Sequence, residues 1–341
     1  MKSVNASKRV FAIPQGCKPL STGVAVALTA VSGVVSGAFP SNYGGMMFLA
    51  IAIGLFSYVM TASFSFLYIG MGALISVAVA MLCGVKFPLA LISLIYIPIA
   101  FAISGAVRKR AGLSQTVAVA TMTSVAIIAV IAGICYICVK DAFTDALTAV
   151  WSQYEEMMYH SAQQMNSTPA GVVISDTLIN EIIHTTLMVL PSVAVLCCMG
   201  ICYIGAKLFR LATVVSDSNE LFDGGRWPIT ASLAGSVVFI ASYLVTMFTF
   251  NSEIVYFSAI NILYIILPSQ AIEGFRLMFG RRSPVKLKAG WMRVLLTALC
   301  VYLIFYNPVM LLMVAASFTS FYNIRVWLIA QKKKREDEDD N

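Results

Sequence analysis

Charge is what this sequence has least of. Asp, Glu, Lys and Arg make up 11% of its 341 residues, where a soluble globular domain carries about 25%. With 59% hydrophobic residues and a mean hydropathy of +0.85, the chain cannot clothe itself in a water-facing surface. That excludes a soluble enzyme and a nucleic-acid-binding domain. Histidine is nearly missing too. His160 and His184 are the only two, and no HExxH site, Ser/His/Asp triad or nucleotide-binding loop is present. No catalytic residue, metal or cofactor is therefore expected, and enzymatic activity is not expected either. The eight cysteines build no disulfide framework: Cys83, Cys197, Cys198, Cys202 and Cys300 lie inside apolar runs, where Cys behaves as a small hydrophobe. Cys135 and Cys138 form a CxxC without a second pair at zinc-site spacing.

What the chain has in abundance is apolar runs of membrane-crossing length. A spanning helix needs about 20 mostly apolar residues. Breaking the runs at charges and at Pro, Gly and Asn clusters gives ten candidates: 21–39, 44–61, 65–84, 87–107, 113–139, 186–206, 228–250, 254–275, 291–305 and 308–330. The short connection around Thr61–Ser65 and the short ninth run set the range at eight to ten spans. Charge parity tests the layout. With the N-terminus inside, every Lys and Arg except Lys86 and Lys140 falls in a cytoplasmic segment, as the excess of basic residues in cytoplasmic loops requires. The net charge of +7 thus reads as topology, with the lipid bilayer as partner, and not as an affinity for nucleic acid.

The expected architecture is an all-α polytopic bundle with both termini inside. A cytoplasmic N-terminus (1–20) leads into a first bundle (21–139), and an extracytoplasmic segment (140–185) separates it from a second (186–330). A charged tail (331–341) ends the chain. In the extracytoplasmic segment Phe143, Leu147, Val150, Tyr154 and Met157 recur every three or four residues, an amphipathic helix pattern. Ser175 or Asp176 can cap a second helix there. The segment reads as a helical cap, shielding the bundle more readily than acting as a lid. The basic half of the tail suits anionic headgroups, and its acidic half, Glu336–Asp340, reads as disordered.

Three patterns could carry function. The first run places Ala25, Thr29, Gly33 and Gly37 at intervals of four, and the third places Gly72, Ser76, Ala80 and Gly84 likewise. Such stripes let helix backbones approach closely in lipid, within the chain or against a partner. The eighth run holds Asn261, Pro268, Ser269, Gln270 and Glu273. Proline interrupts the helical ladder, Asn261, Ser269 and Glu273 share a face, and an acid inside a span is a functional candidate by default. Glu273 can also pair locally with Arg276 near the cytosolic helix end. The tenth run offers Ala316, Ser320 and Asn323, with Arg325 placed to reach Glu273 if the two helices pack together.

The segment Ser269-Gln270-Ala271-Ile272-Glu273-Gly274, a basic loop, two more spans and the ending Phe321-Tyr322-Asn323-Ile324-Arg325 resemble the YybS-like family of bacterial membrane proteins. Gln270 and Arg325 match that family's pattern, while Asn323 stands where an acid is common. The opening of the first span also looks like substrate-binding subunits of energy-coupling-factor transporters. That resemblance implies a bacterial cell-membrane location and a vitamin-like small-molecule ligand. It also implies a docking face at Ala25, Thr29 and Gly33 for a coupling membrane subunit that works with a separate ATPase. Asn261, Ser269, Gln270, Glu273, Asn323 and Arg325 are the candidate ligand-binding residues. The alternative is a non-transporting scaffold for envelope or division proteins. An ion-coupled carrier is a weaker third reading, because Glu273 lies too near a helix end.

Overall fold

The computed structural model describes residues 43–62, 66–82, 94–109, 111–166, 175–215, 231–249, 252–279 and 290–339, and these are helical apart from short turns. In chain order the helices are α1 (Tyr43–Ala62), α2 (Phe66–Leu82), α3 (Tyr96–Arg108), α4 (Leu113–Cys138), α5 (Lys140–Asn166), α6 (Asp176–Val215), α7 (Leu233–Phe248), α8 (Glu253–Phe279), α9 (Gly290–Tyr306) and α10 (Pro308–Asp339). Among the described residues, four helical stretches are long and apolar enough to cross a membrane: Leu113–Cys138, Asp176–Leu211, Glu253–Phe279 and Pro308–Glu336. Leu49–Thr61, Ile69–Ala78, Tyr96–Arg108 and Leu233–Phe248 are shorter apolar helices. The first expected span, with Ala25, Thr29, Gly33 and Gly37, lies outside the described residues.

The chain divides into two compact units, one of Met1–Ala129 with Cys197–Pro228 and one of Val130–Leu196 with Ile229–Asn341. Helices α4 and α6 contribute to both. In lipid, burying apolar surface does little to drive helices together, so close packing and hydrogen bonds must hold them. The first unit shows both. A Cβ on Gly54 would stand 2.8 Å from the Gly205 carbonyl oxygen, and one on Gly205 would stand 2.8 Å from Ile53 Cγ2. Only hydrogen at these two positions lets α1 and α6 cross this closely. The Tyr96 hydroxyl donates to the Gly72 carbonyl (3.3 Å) and lies 3.0 Å from Ser76 Oγ, while its ring meets Phe56 edge-on. Two members of the second small-residue stripe are thus occupied within the chain. Arg108 Nη2 donates to the Met60 carbonyl at 2.6 Å, tying α3 to α1.

In the second unit α5 and the first turns of α6 form a hairpin. Ala162, Ile179 and Ile183 are its buried centre, with Trp151, Tyr154, Met158 and Tyr159 packed around them. Ser175 Oγ accepts from the Leu178 amide and caps α6. Leu147, Val150 and Met157 from the predicted amphipathic face remain exposed. Helix α5 has two apolar stripes, and the aromatic one at 151, 154, 158 and 162 is the one that packs. Helix α6 runs unbroken through the predicted boundary at 185/186 despite Pro191.

Helices α7, α8 and α10 make the core of this unit. Phe239, Leu263, Leu267 and Ala316 are buried together, as are Ala271, Met278 and Ala315. The acidic end of the tail is also helical, contrary to the expectation of disorder: α10 continues to Asp339. On a helix, each acid from Glu336 to Asp339 follows a basic residue by four positions, and Lys332 Nζ lies 3.6 Å from Glu336 Oε1.

Candidate functional site

Four uncharged polar side chains of the second unit gather where α7, α8 and α10 meet. Ser232 caps α7, its hydroxyl accepting from the Gly235 amide at 3.0 Å. One turn in, Ser236 is fully buried and donates to Gln270 Oε1 at 3.2 Å. Asn323 of α10 donates through Nδ2 to the same Ser236 Oγ at 2.9 Å, and to the Ala231 carbonyl at 3.5 Å. Thr319, also fully buried, donates to the Gln270 backbone carbonyl at 2.7 Å. Gln270, Ser236, Asn323 and Thr319 thus form one uncharged knot.

Two glycines make the knot possible. A Cβ on Gly274 would collide with the Ala315 carbonyl oxygen and lie 2.9 Å from Thr319 Oγ1. Gly274 therefore sets how closely α8 and α10 cross, and brings Thr319 to α8. A Cβ on Gly235 would lie 2.9 Å from Gln270 Nε2, so this glycine makes room for the Gln270 amide against α7. The knot is not closed. Among the described residues, Gln270 Nε2 makes no hydrogen bond as donor and Asn323 Oδ1 none as acceptor. Gln270 is 1% exposed, whereas Asn323 is half-buried.

The other predicted residues do not join this knot. Asn261 lies nine positions before Gln270, about 13 Å along a helix at 1.5 Å per residue. Its Oδ1 accepts from the Ser192 amide at 3.1 Å, and its Nδ2 donates to the carbonyls of Met188 (2.8 Å) and Phe257 (2.9 Å). Ser269 turns back onto its own helix, donating to the Ile266 carbonyl at 2.9 Å. Glu273 pairs with Arg276 at 3.1 Å, not with Arg325. Helix α10 does pack beside α8 as expected, but Arg325 is exposed there. The six candidates therefore separate into a knot (Gln270, Asn323), a stitch to α6 (Asn261), a local ion pair (Glu273), and two residues outside all three (Ser269, Arg325).

Ser232, Ser236 and Thr319 were missed from sequence. Ser232 carried a readable signal, a serine before an apolar helix. Ser236 and Thr319 are single hydroxyls in apolar runs, which ordinarily bond their own helix. Among the described residues, no cluster of three His, Cys, Asp or Glu side chains is placed to hold a metal ion. No family model, curated protein or solved structure matches the chain.

Proposed function

We propose that this multi-pass membrane protein is a substrate-binding subunit for a small, uncharged, vitamin-like molecule, working with a separate ATPase module and its membrane coupling subunit. One observation carries this reading: the α7–α8–α10 knot keeps a donor at Gln270 Nε2 and an acceptor at Asn323 Oδ1, side chains that both bond Ser236 Oγ. Pro268 stands two residues from Gln270 within the continuous helix α8 and removes one backbone rung beside the pair. A ligand carrying neighbouring hydrogen-bond donor and acceptor groups, such as an amide or a lactam, complements the pair. Glu273, engaged with Arg276, is a poor coupling-ion site, which favours a partner ATPase over an ion gradient. The resemblance to the YybS-like family and a location in a bacterial cell membrane belong to this proposal.

A second reading, a non-transporting scaffold, is favoured by the tight Gly274–Ala315 crossing, which fills the space between α8 and α10. Mild-detergent extraction of a tagged chain, followed by mass spectrometry of what co-purifies, separates the two. Recovery of an ATPase pair with a membrane coupling subunit supports the binding subunit. Recovery of wall-synthesis or division proteins without an ATPase overturns it in favour of the scaffold.

A further inference from the structure

Asn261 does something specific to α6. A continuous α-helix joins each amide to the carbonyl four residues earlier. Pro191 has no N–H, so the Leu187 carbonyl loses its partner there. The next rung joins the Ser192 amide to the Met188 carbonyl, and the Asn261 side chain bonds both of these groups, accepting from the first and donating to the second. One primary amide thus duplicates a peptide rung from outside the helix, beside the one proline in α6.

The part of α6 before this point belongs to the hairpin with α5. That hairpin is internally well tied: Tyr159 donates to Asn180 Oδ1 at 2.8 Å, Tyr154 donates to Thr186 Oγ1 at 3.4 Å, and the Ala162–Ile179–Ile183 cluster fills its centre. Its other connection, from α4 to α5, also passes through a break, a bend at Val139. One connection of the hairpin is therefore bent, and the other stays helical while lacking one rung at Pro191. Toward α8 a further contact holds it: His184 Nε2 lies 3.3 Å from Glu253 Oε1, and the His184 ring meets Phe257 edge-on.

We infer that the α5–α6 hairpin is a rigid cap hinged at Val139 and Pro191, with Asn261 as the hinge pin and His184–Glu253 as the catch. With Asn261 bonded, the Met188 and Ser192 backbone groups are satisfied and the cap is held to α8. When the cap swings, the amide withdraws and the rung of α6 itself keeps the Met188 and Ser192 groups paired, while Asn261 keeps its bond to the Phe257 carbonyl. Withdrawal separates the start of α8 from α6 at the cap end. This goes beyond the bland shielding role and does not depend on what the knot binds.

Hydrogen exchange on the full chain in lipid nanodiscs, read by mass spectrometry, tests the hinge. Asn261→Leu is expected to speed exchange over residues 176–190 by tenfold or more, while 263–279 keeps its wild-type rate. Pro191→Ala restores the missing N–H and is expected to slow exchange over the same stretch. A wild-type rate over 176–190 in Asn261→Leu, or an equal rise in 263–279, overturns the hinge. If Asn261→Leu does not fold, Pro191→Ala decides alone: slower exchange supports the hinge and an unchanged rate overturns it.

Discussion

The two halves of α8 each place one primary amide against a neighbouring helix, and they do so to opposite effect. Gln270 sits where Gly274 and Gly235 have removed side-chain bulk, so three helices close on it and its exposure falls to 1%. Asn261 sits opposite a proline and is only half-buried, and it bonds backbone groups that α6 can also pair with each other. The first amide belongs to a fixed crossing, the second to a contact with an alternative. What an amide does inside a membrane bundle thus depends less on its own chemistry than on whether its partners have another partner to turn to.

That contrast can be broken at several points. The largest effect is expected from Gly274→Ala. A methyl group there collides with the Ala315 backbone, which cannot turn aside as a side chain could. A loss of about 3 kcal/mol, the upper part of the overpacking range, is expected. Thermal unfolding in detergent should show a clear drop in midpoint, and an unchanged midpoint would mean the crossing is looser than described. Gln270→Leu comes next. It removes one of the two acceptors in reach of Ser236 Oγ, the other being the Ser232 carbonyl at 3.2 Å, and should cost about 1.5 kcal/mol, the upper part of the range for one hydrogen bond. The same melting experiment reads it.

Thr319→Val removes one hydroxyl bond to the Gln270 carbonyl and keeps the shape. About 1 kcal/mol is expected, because that carbonyl keeps its place in α8. Equal losses in Gln270→Leu and Thr319→Val would show the knot to be no more than two separate contacts. The smallest effect is expected from Glu273→Gln. Its partner Arg276 is half exposed, and ion pairs of this kind contribute about 0–1 kcal/mol. A larger loss would mark Glu273 as part of the knot after all.

The all-helical class and some of the long apolar helices could be read from apolar run lengths. The predicted runs 113–139 and 254–275 match α4 and α8 to within a few residues. The site was only half legible. Gln270 was legible beside Pro268 and Asn323 on the facing run, and the two share Ser236 Oγ as a partner. Ser269 and Glu273 carried the same signal, but a hydroxyl can turn back to its own carbonyl, and a carboxylate three residues from an arginine can pair without leaving its helix. Sequence spacing places residues on a face. It does not say which of them finds a partner at home. The pairing of Asn261 with α6 was invisible for another reason: it joins positions about 70 residues apart, through backbone atoms that every residue has.

The helical continuation of α10 has an electrical consequence. Lys332, Lys333, Lys334 and Arg335 are followed in register by Glu336, Asp337, Glu338 and Asp339, so the two turns carry equal and opposite charge. Such a rod has almost no monopole but a large moment along its axis, positive toward the apolar part of the helix and negative toward its tip. An anionic surface attracts the near turn and repels the far one. The field then acts as a torque and not as a pull, standing the tail upright like a compass needle. Truncation after Arg335 would remove the torque and leave four bare positive charges free to lie flat on the lipid.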